Sequence, residues 1–345
     1  MSGMARVAVA GVVLVALVLF VLVNVARGQG KVKDVKAGTD QAGSVVYGGL
    51  RRTYLLHIPS GFDKERPWPL VFVLHGGGGD GAKVAKLTGF SAEADSARLL
   101  SRGQAGFIVC YPDAVNHHWN DGRQVRRFKS QRDAIDDVGF IAALIDRFAK
   151  DLNVDRQRVY ATGISNGGMM CHRLGCELSD RIAAIGPVAA GIPEPLSQAL
   201  GTVPGFPAGI PGDSSRRPEN SVSVLAINGT NDPLVPYEGG GVGLYHKRGE
   251  VLSVVRTISF WVAADSCSPK PETTDIPDVD PHDGIKVVRE RYSGGRDSSE
   301  VILYRVEGGG HTWPSGARRV ARFGKTARDI DATEVIWEFF ERHTR

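Results

Sequence analysis

The chain has 345 residues, 42% hydrophobic and 23% charged, which is ordinary globular composition and enough length to bury a sizeable core. Its 42 basic and 38 acidic residues give a formal charge of +4, and the basic clusters, Arg123 to Lys129 and Arg318, Arg319 and Arg322, are short and not interleaved with a series of stacking aromatics. A nucleic-acid partner is therefore not expected.

In chain order the first element is apolar. Between Arg6 and Arg27 lie 20 uncharged residues, and from Val7 to Val25 only Gly11 and Asn24 are not clearly apolar, so the segment must enter a membrane at least transiently. Residues 1–27 read equally as a signal peptide or as an uncleaved N-terminal anchor, since the cleavage candidate Ala26-Arg27-Gly28 is a poor one. Arg27, Lys31, Lys33 and Lys36 outnumber Arg6 and the amino terminus, a charge bias that by itself opposes export. Residues 28–43, rich in Gly, Lys, Asp and Gln, read as a linker, with the folded domain expected over 44–345.

The domain opens on a hairpin signal, Val45 to Tyr47 and Arg52 to Ile58 around Gly48-Gly49, followed by a short apolar strand, Pro69 to Leu74. Strands and helices then alternate. Helices are expected at Ser91 to Arg102, Asp136 to Leu152, Asn166 to Leu178, Val251 to Ala264 and Asp331 to His343. Strands are expected at Gly106 to Tyr111, Arg158 to Thr162, Ile182 to Val188, Val222 to Asn228, Ile285 to Tyr292 and Val301 to Val306. The stretch Gly191 to Asn220 is Pro/Gly-rich and too long for a routine connection. Such alternation implies a mainly parallel sheet with helices on both faces. The cysteines, at 110, 171, 176 and 267, fit neither a redox pair nor a zinc finger; Cys110, in an apolar run, reads as a buried hydrophobe, and export would allow a bridge involving Cys267.

The chemistry gathers at strand ends. Gly163-Ile164-Ser165-Asn166-Gly167 falls between a strand and a helix, the context of a nucleophile elbow, whose tightness requires small residues two before and two after the serine. Asp232 follows the strand ending at Asn228, and His311 follows the strand ending at Val306, so the order Ser, Asp, His matches a hydrolase triad with each group beyond a strand's carboxyl end. Taken alone, Ser165 reads as a helix cap, Asp232 as an Asx-turn residue and His311 as a loop histidine; it is their order and placement together that point to a triad. Leu74-His75-Gly76-Gly77-Gly78-Gly79 supplies unobstructed backbone N–H groups for an oxyanion hole, with Gly77 and Asn166 the expected donors and His75 a structural residue steadying the loop. The glycines lack the Lys-Ser/Thr pair or GxGxxG spacing of a phosphate loop. Neither His117-His118 nor His282 among Asp280 to Asp283 has metal-site spacing, so no metal and no cofactor are expected. Trp119 and Trp313, in polar loops near the expected site, are candidate walls of a substrate pocket.

On Arg52 to Leu56, the HGGGG loop, Trp119-Asn120-Asp121, Asp136 to Phe140, Gly163 to Met169, Gly229 to Asp232 and Glu307 to Pro314, the chain resembles the secreted esterases of the polyhydroxybutyrate depolymerase and feruloyl esterase type, related to acetyl xylan esterases. The resemblance implies an α/β-hydrolase fold and a Ser165, Asp232, His311 triad acting on small or polymeric esters; an acyl-enzyme mechanism is expected. The Pro/Gly-rich stretch at 191–220, unlike a lipid-facing lid, together with Trp119 and Trp313, favours short, hydroxylated or aromatic acyl groups over long alkyl chains. The resemblance also implies that the domain is secreted or held at the extracytoplasmic face, against the charge bias. Such sequences often carry a cysteine near position 295 that could pair with Cys267, where this chain has Gly295. A serine peptidase of the same fold and an anchored, non-catalytic binding protein are the alternatives.

Overall fold

The computed structural model describes residues 35–96, 106–199, 218–317 and 321–345. The apolar segment at 7–25, with the signal or anchor read into it, lies outside the described residues, as do 97–102 of the expected helix and 200–217 of the Pro/Gly-rich stretch. Among the described residues no helix is long and apolar enough to cross a membrane.

Strands β3 (Trp68–Leu74), β4 (Ile108–Pro112), β6 (Ala184–Val188) and β7 (Ser223–Gly229) are buried at every residue, because they lie in the middle of a sheet covered on both faces. With β5 (Val154–Ile164) and β12 (Val301–Glu307) they form the parallel run β4-β3-β5-β6-β7-β12. Antiparallel strands close both edges: β1 (Thr39–Tyr47) and β2 (Leu50–Ile58) beyond β4, and β11 (Lys286–Tyr292) and β10 (Glu272–Asp275) beyond β12. Mainly parallel order, helices on both sides and an open sheet are the expected α/β arrangement.

Alternate residues of each inner strand serve opposite cores. Leu70, Phe72 and Leu74 pack with helices α4 (Asp137–Leu152), α5 (Asn166–Glu177) and α7 (Val254–Ala264). Val71 and Val73 face α1 (Gly81–Thr88), α2 (Phe90–Ala94) and α8 (Ala332–Phe340). The apolar face read for α4 holds: Val138, Ile141, Leu144, Ile145, Phe148 and Leu152 are all buried. Asp136 caps this helix by accepting from Gly139 N–H at 2.8 Å, and Asn153 ends it in the left-handed region. Two further short helices, α3 (Lys129–Arg132) and α6 (Glu194–Ala199), and a separate antiparallel ladder of β8 (Gly240–Gly241) with β9 (Glu250–Val251), lie in connections.

Three local expectations change. The first strand begins at Thr39 rather than Val45, so residues 39–43 of the expected linker are sheet, paired from Thr39↔Ile58 inward. The helix expected from Ser91 is observed as Phe90–Ala94, preceded by an unforeseen helix capped by Asp80 and closed by Gly89. Cys267 forms no bridge: it is a buried free thiol whose Sγ lies 3.8 Å from the Ser299 carbonyl oxygen. The space beside it is filled, since a Cβ on Gly295 would stand 2.7 Å from that Sγ and equally close to the Ser299 backbone oxygen.

Candidate active site

The turn from β5 into α5 is built by close approach. A Cβ on Gly163 would stand 2.5 Å from the Leu74 carbonyl oxygen, and one on Gly167 2.2 Å from the same atom, so any larger residue at either position would collide with β3. Between them Ser165 adopts φ 59°, ψ −122°, a sparsely populated conformation for a residue with a Cβ, held by its N–H on Val188 O at 2.9 Å and by Met169 N–H on its carbonyl at 2.8 Å. Its side chain does not cap the helix and is half-buried, which removes the capping explanation for this serine.

Asp232 and His311 meet. Asp232 Oδ2 lies 2.7 Å from His311 Nδ1, while Oδ1 accepts from the N–H groups of Leu234 at 2.7 Å and Val235 at 2.8 Å. The aspartate is thus both an Asx-turn residue and the partner of the imidazole. With Nδ1 facing a carboxylate, Nε2 is left as the basic nitrogen. The glycine loop before His311 interlocks with its neighbours: Gly229 would meet Gly309 O at 2.3 Å, and Gly310 would meet Phe323 O at 2.1 Å, if either carried a Cβ.

The HGGGG loop lies against the elbow. A Cβ on Gly76 would stand 3.6 Å from Ser165 Cβ, and one on Gly77 3.8 Å from Asn166 Cβ. Asn166 is the first residue of α5, so its N–H has no acceptor within the helix. His75 steadies the loop as expected: Nδ1–H donates to Gly76 O at 2.8 Å, and Nε2 accepts from Ala114 N–H at 3.1 Å. Both ring nitrogens are used in the neutral form. Burial pushes its pKa down to about 4. His172 in α5 is likewise buried and neutral, accepting from Trp261 Nε1 at 3.0 Å, with its pKa pushed down by burial to about 3.

These two histidines bear on acid stability. The folded protein refuses protons that the unfolded chain takes up below pH 6.5, so stability is full above that pH and is lost as pH falls toward the folded values. Together they are expected to cost roughly 2–3 kcal/mol for each pH unit between about 6 and about 4. Asp265, raised by burial to about 7, works in the opposite sense between pH 4 and 7. Denaturant titrations of the parent and His172→Gln, which keeps an acceptor for Trp261, isolate the histidine: the variant's slope should be shallower by roughly 1 kcal/mol per pH unit. Identical slopes would show that His172 titrates normally.

The expected substrate-wall tryptophans are corrected. Trp119 is fully buried, its indole N–H donating to His75 O at 3.0 Å. Trp313 is 1% exposed, packs edge-on against Phe90 and donates to Thr333 Oγ1 at 3.1 Å. Both are packing residues with their polar ends already satisfied.

What Trp119-Asn120-Asp121 does instead is hold the elbow. Asn166 Oδ1 accepts from Trp119 N–H at 2.8 Å, and its Nδ2 donates to Asp121 Oδ2 at 2.5 Å and to Trp119 O at 3.2 Å. Its side chain is committed, so only its backbone can serve an oxyanion. Asp121, with no exposed surface, also takes Arg123 Nη2 at 2.7 Å and Gln131 Nε2 at 2.9 Å. Asn120 N–H reaches Asp137 Oδ2 at 2.7 Å, and Asp137 pairs with Arg52 at the same distance. Burial raises the Asp137 carboxyl pKa against the pull of Arg52. Single-sequence reasoning offered no function for these polar groups, because nothing periodic marks a buried ion pair. His118 was also missed: it stacks on Phe128 at 4.0 Å, and its Nε2 would be 3.1 Å from a Cβ on Gly77.

A sheet of this order, a strained serine at its central strand-to-helix turn and a histidine–aspartate pair beyond later strands define the α/β-hydrolase fold. No family model matches the chain. It is 29% identical over 318 residues to NocK of Nocardia uniformis subsp. tsuyamanensis, which bears an esterase name, covering 89% of this chain and 84% of that one. It is 27% identical over 293 residues to feruloyl esterase C of Emericella nidulans, covering 84% and 83%. Among solved structures, a CE1 ferulic acid esterase of Anaeromyces mucronatus in complex with ferulic acid superposes with TM-score 0.51 at 16% identity, covering 92% of this chain and 94% of that one. The structural likeness carries the fold and the sequence likeness the chemistry: the chain is a carboxylic ester hydrolase, similar to the feruloyl esterases.

Proposed function

We propose that the chain hydrolyses esters through an acyl-enzyme on Ser165, with His311 as base, Asp232 orienting it, and the N–H groups of Gly77 and Asn166 receiving the oxyanion. The observation that carries this reading is the Asp232–His311 pair at 2.7 Å, beyond the ends of β7 and β12, in the same sheet as the strand that leads into a serine held at φ 59°. His311 Nε2 takes the Ser165 proton as Oγ attacks the carbonyl carbon, and returns it to the leaving alcohol. Water then repeats the sequence on the acyl-serine. The names of the relatives favour feruloyl esters, and acetyl esters and polyhydroxybutyrate oligomers belong to the short or hydroxylated acyl class expected from the sequence. A secreted location accords with such polymeric substrates.

Two measurements test this. A fluorophosphonate should label the chain once, on the peptide containing Ser165, with labelling slowed in His311→Ala. Methyl ferulate, acetyl and butyryl esters should be cleaved with kcat/KM at least roughly tenfold above a palmitoyl ester, the scale on which an acyl pocket discriminates. Label on another serine would remove the nucleophile assignment. A preference for the palmitoyl ester would indicate a lipase instead.

A further inference from the structure

Beside the oxyanion loop the surface turns cationic, and the contacts leading there can be followed residue by residue. Gly77 lies against His118, His118 stacks on Phe128, and the Arg127 guanidinium sits 5.5 Å from the Phe128 ring centroid. A second segment closes on the first. The loop 242–249 is hung from the Asp232 turn by Gly243 N–H on Leu234 O at 2.7 Å, and is locked by Val242 N–H on Gly249 O at 2.8 Å. It leans on the first segment through Arg123 Nη1 on Arg248 O at 2.8 Å, and through Gly249, where a Cβ would stand 2.8 Å from Val125 Cγ2. The two segments therefore form one rim joining the oxyanion loop to the Asp232 turn.

The rim's exposed side chains are of two kinds. Arg126, Arg127, Lys247 and Arg248 are exposed and make no ion pair with another described residue. The acids nearby are committed or outnumbered: Asp121 is buried on Arg123, Asp133 is paired with Lys129 and Arg132, and Glu250 is the exposed carboxylate on the loop's own stem. Within the loop Tyr245 is 81% exposed, an aromatic ring offered to solvent, with Leu244 before it and Lys247 and Arg248 following. Folding gains nothing from displaying a tyrosine so fully. Four exposed cations without an ion-pair partner among the described residues, on one rim with an exposed ring, fit a chain that carries carboxylates at intervals and presents flat apolar faces between them.

We propose that this rim binds a polysaccharide bearing uronic acids, Tyr245 stacking on a sugar face and the four cations meeting carboxylates, so that ester groups on that polymer are delivered to Ser165. This deepens the ester-hydrolase reading and rests on it for the delivery step, but the binding itself does not require Ser165.

The test uses the full chain carrying Ser165→Ala, titrated calorimetrically with galacturonate oligomers and with neutral xylo-oligosaccharides of equal length. At about 0.05 M salt the uronate should bind at least roughly tenfold more tightly, and the gap should close at about 0.5 M, where charges are screened within a few ångströms. Arg126→Ala with Arg127→Ala, and separately Lys247→Ala with Arg248→Ala, should each remove most of the gap, whereas Tyr245→Ala should weaken both saccharides alike. Equal affinity for the two saccharides would overturn the proposal, as would a uronate preference that survives both double variants. With Ser165 intact, acetylated polygalacturonate should exceed acetylated xylan in kcat/KM by a similar factor. Uronate binding without ester cleavage would sink the hydrolase reading alone, and cleavage without uronate preference would sink this one alone.

Discussion

Ser165→Ala is expected to lower kcat on any accepted ester by roughly 10³- to 10⁶-fold, the range over which loss of a serine nucleophile leaves only binding and oxyanion stabilisation at work. The fold should survive unchanged, for reasons visible around the residue. The Ser165 side chain caps nothing, is half-buried, and contributes no hydrogen bond to the turn, which is held by the backbone bonds to Val188 and Met169. Alanine carries the same Cβ and the same strain at φ 59°, so stability should change by less than about 1 kcal/mol. Turnover of methyl ferulate, with thermal unfolding followed in parallel, decides the matter. Near-parental turnover in a folded variant would show that the strained turn serves another purpose.

Most of what forms the sheet was legible because inner parallel strands are continuous apolar runs and α4 carries an unbroken helical face. The boundaries that shifted did so for identifiable reasons. Thr39 to Gly43 is a polar edge strand without apolar alternation, and its pairing depends on a distant event, the ring of Tyr54 lying over Gly43, where a Cβ would be 2.3 Å from Cε2. The helix Gly81–Thr88 has its cap signals, Asp80 and Gly89, but only a short apolar face, and it is fixed by packing on β3 and β4. At the candidate site, the tight turn at Ser165 and the places of Asp232 and His311 just beyond strand ends could be read from turn chemistry and chain order alone. Trp119 could not: its neighbours Asn120 and Asp121 look like surface residues, and only the fold supplies Asp137 to the first and Arg123, Gln131 and Asn166 to the second. A sequence lists polar residues without saying which other polar residues will satisfy them, and that is why the wall residues were misplaced and the supporting network missed.

The carboxylate of Asp232 offers the sharpest probe of the proposed base. In Asp232→Asn the new amide has one oxygen and one NH₂, and their orientation is not free. The position of Oδ1 faces two N–H donors, those of Leu234 and Val235, and only the amide oxygen can accept them. The NH₂ must then occupy the Oδ2 position, 2.7 Å from His311 Nδ1, and it donates there. His311 is forced into the tautomer that carries its proton on Nε2, the nitrogen that the proposed mechanism needs empty to accept from Ser165. The variant should therefore keep its turn and its stability while losing roughly 10⁴ in kcat at neutral pH, with KM little changed, as expected when a triad loses the correct tautomer. Asp232→Ala, which leaves the two backbone donors without their acceptor, should in addition unfold at a lower temperature. Steady-state kinetics and thermal melts on both variants separate the two roles of the carboxylate. An Asp232→Asn effect confined to KM would mean that Asp232 contacts substrate and that some other acid orients the histidine.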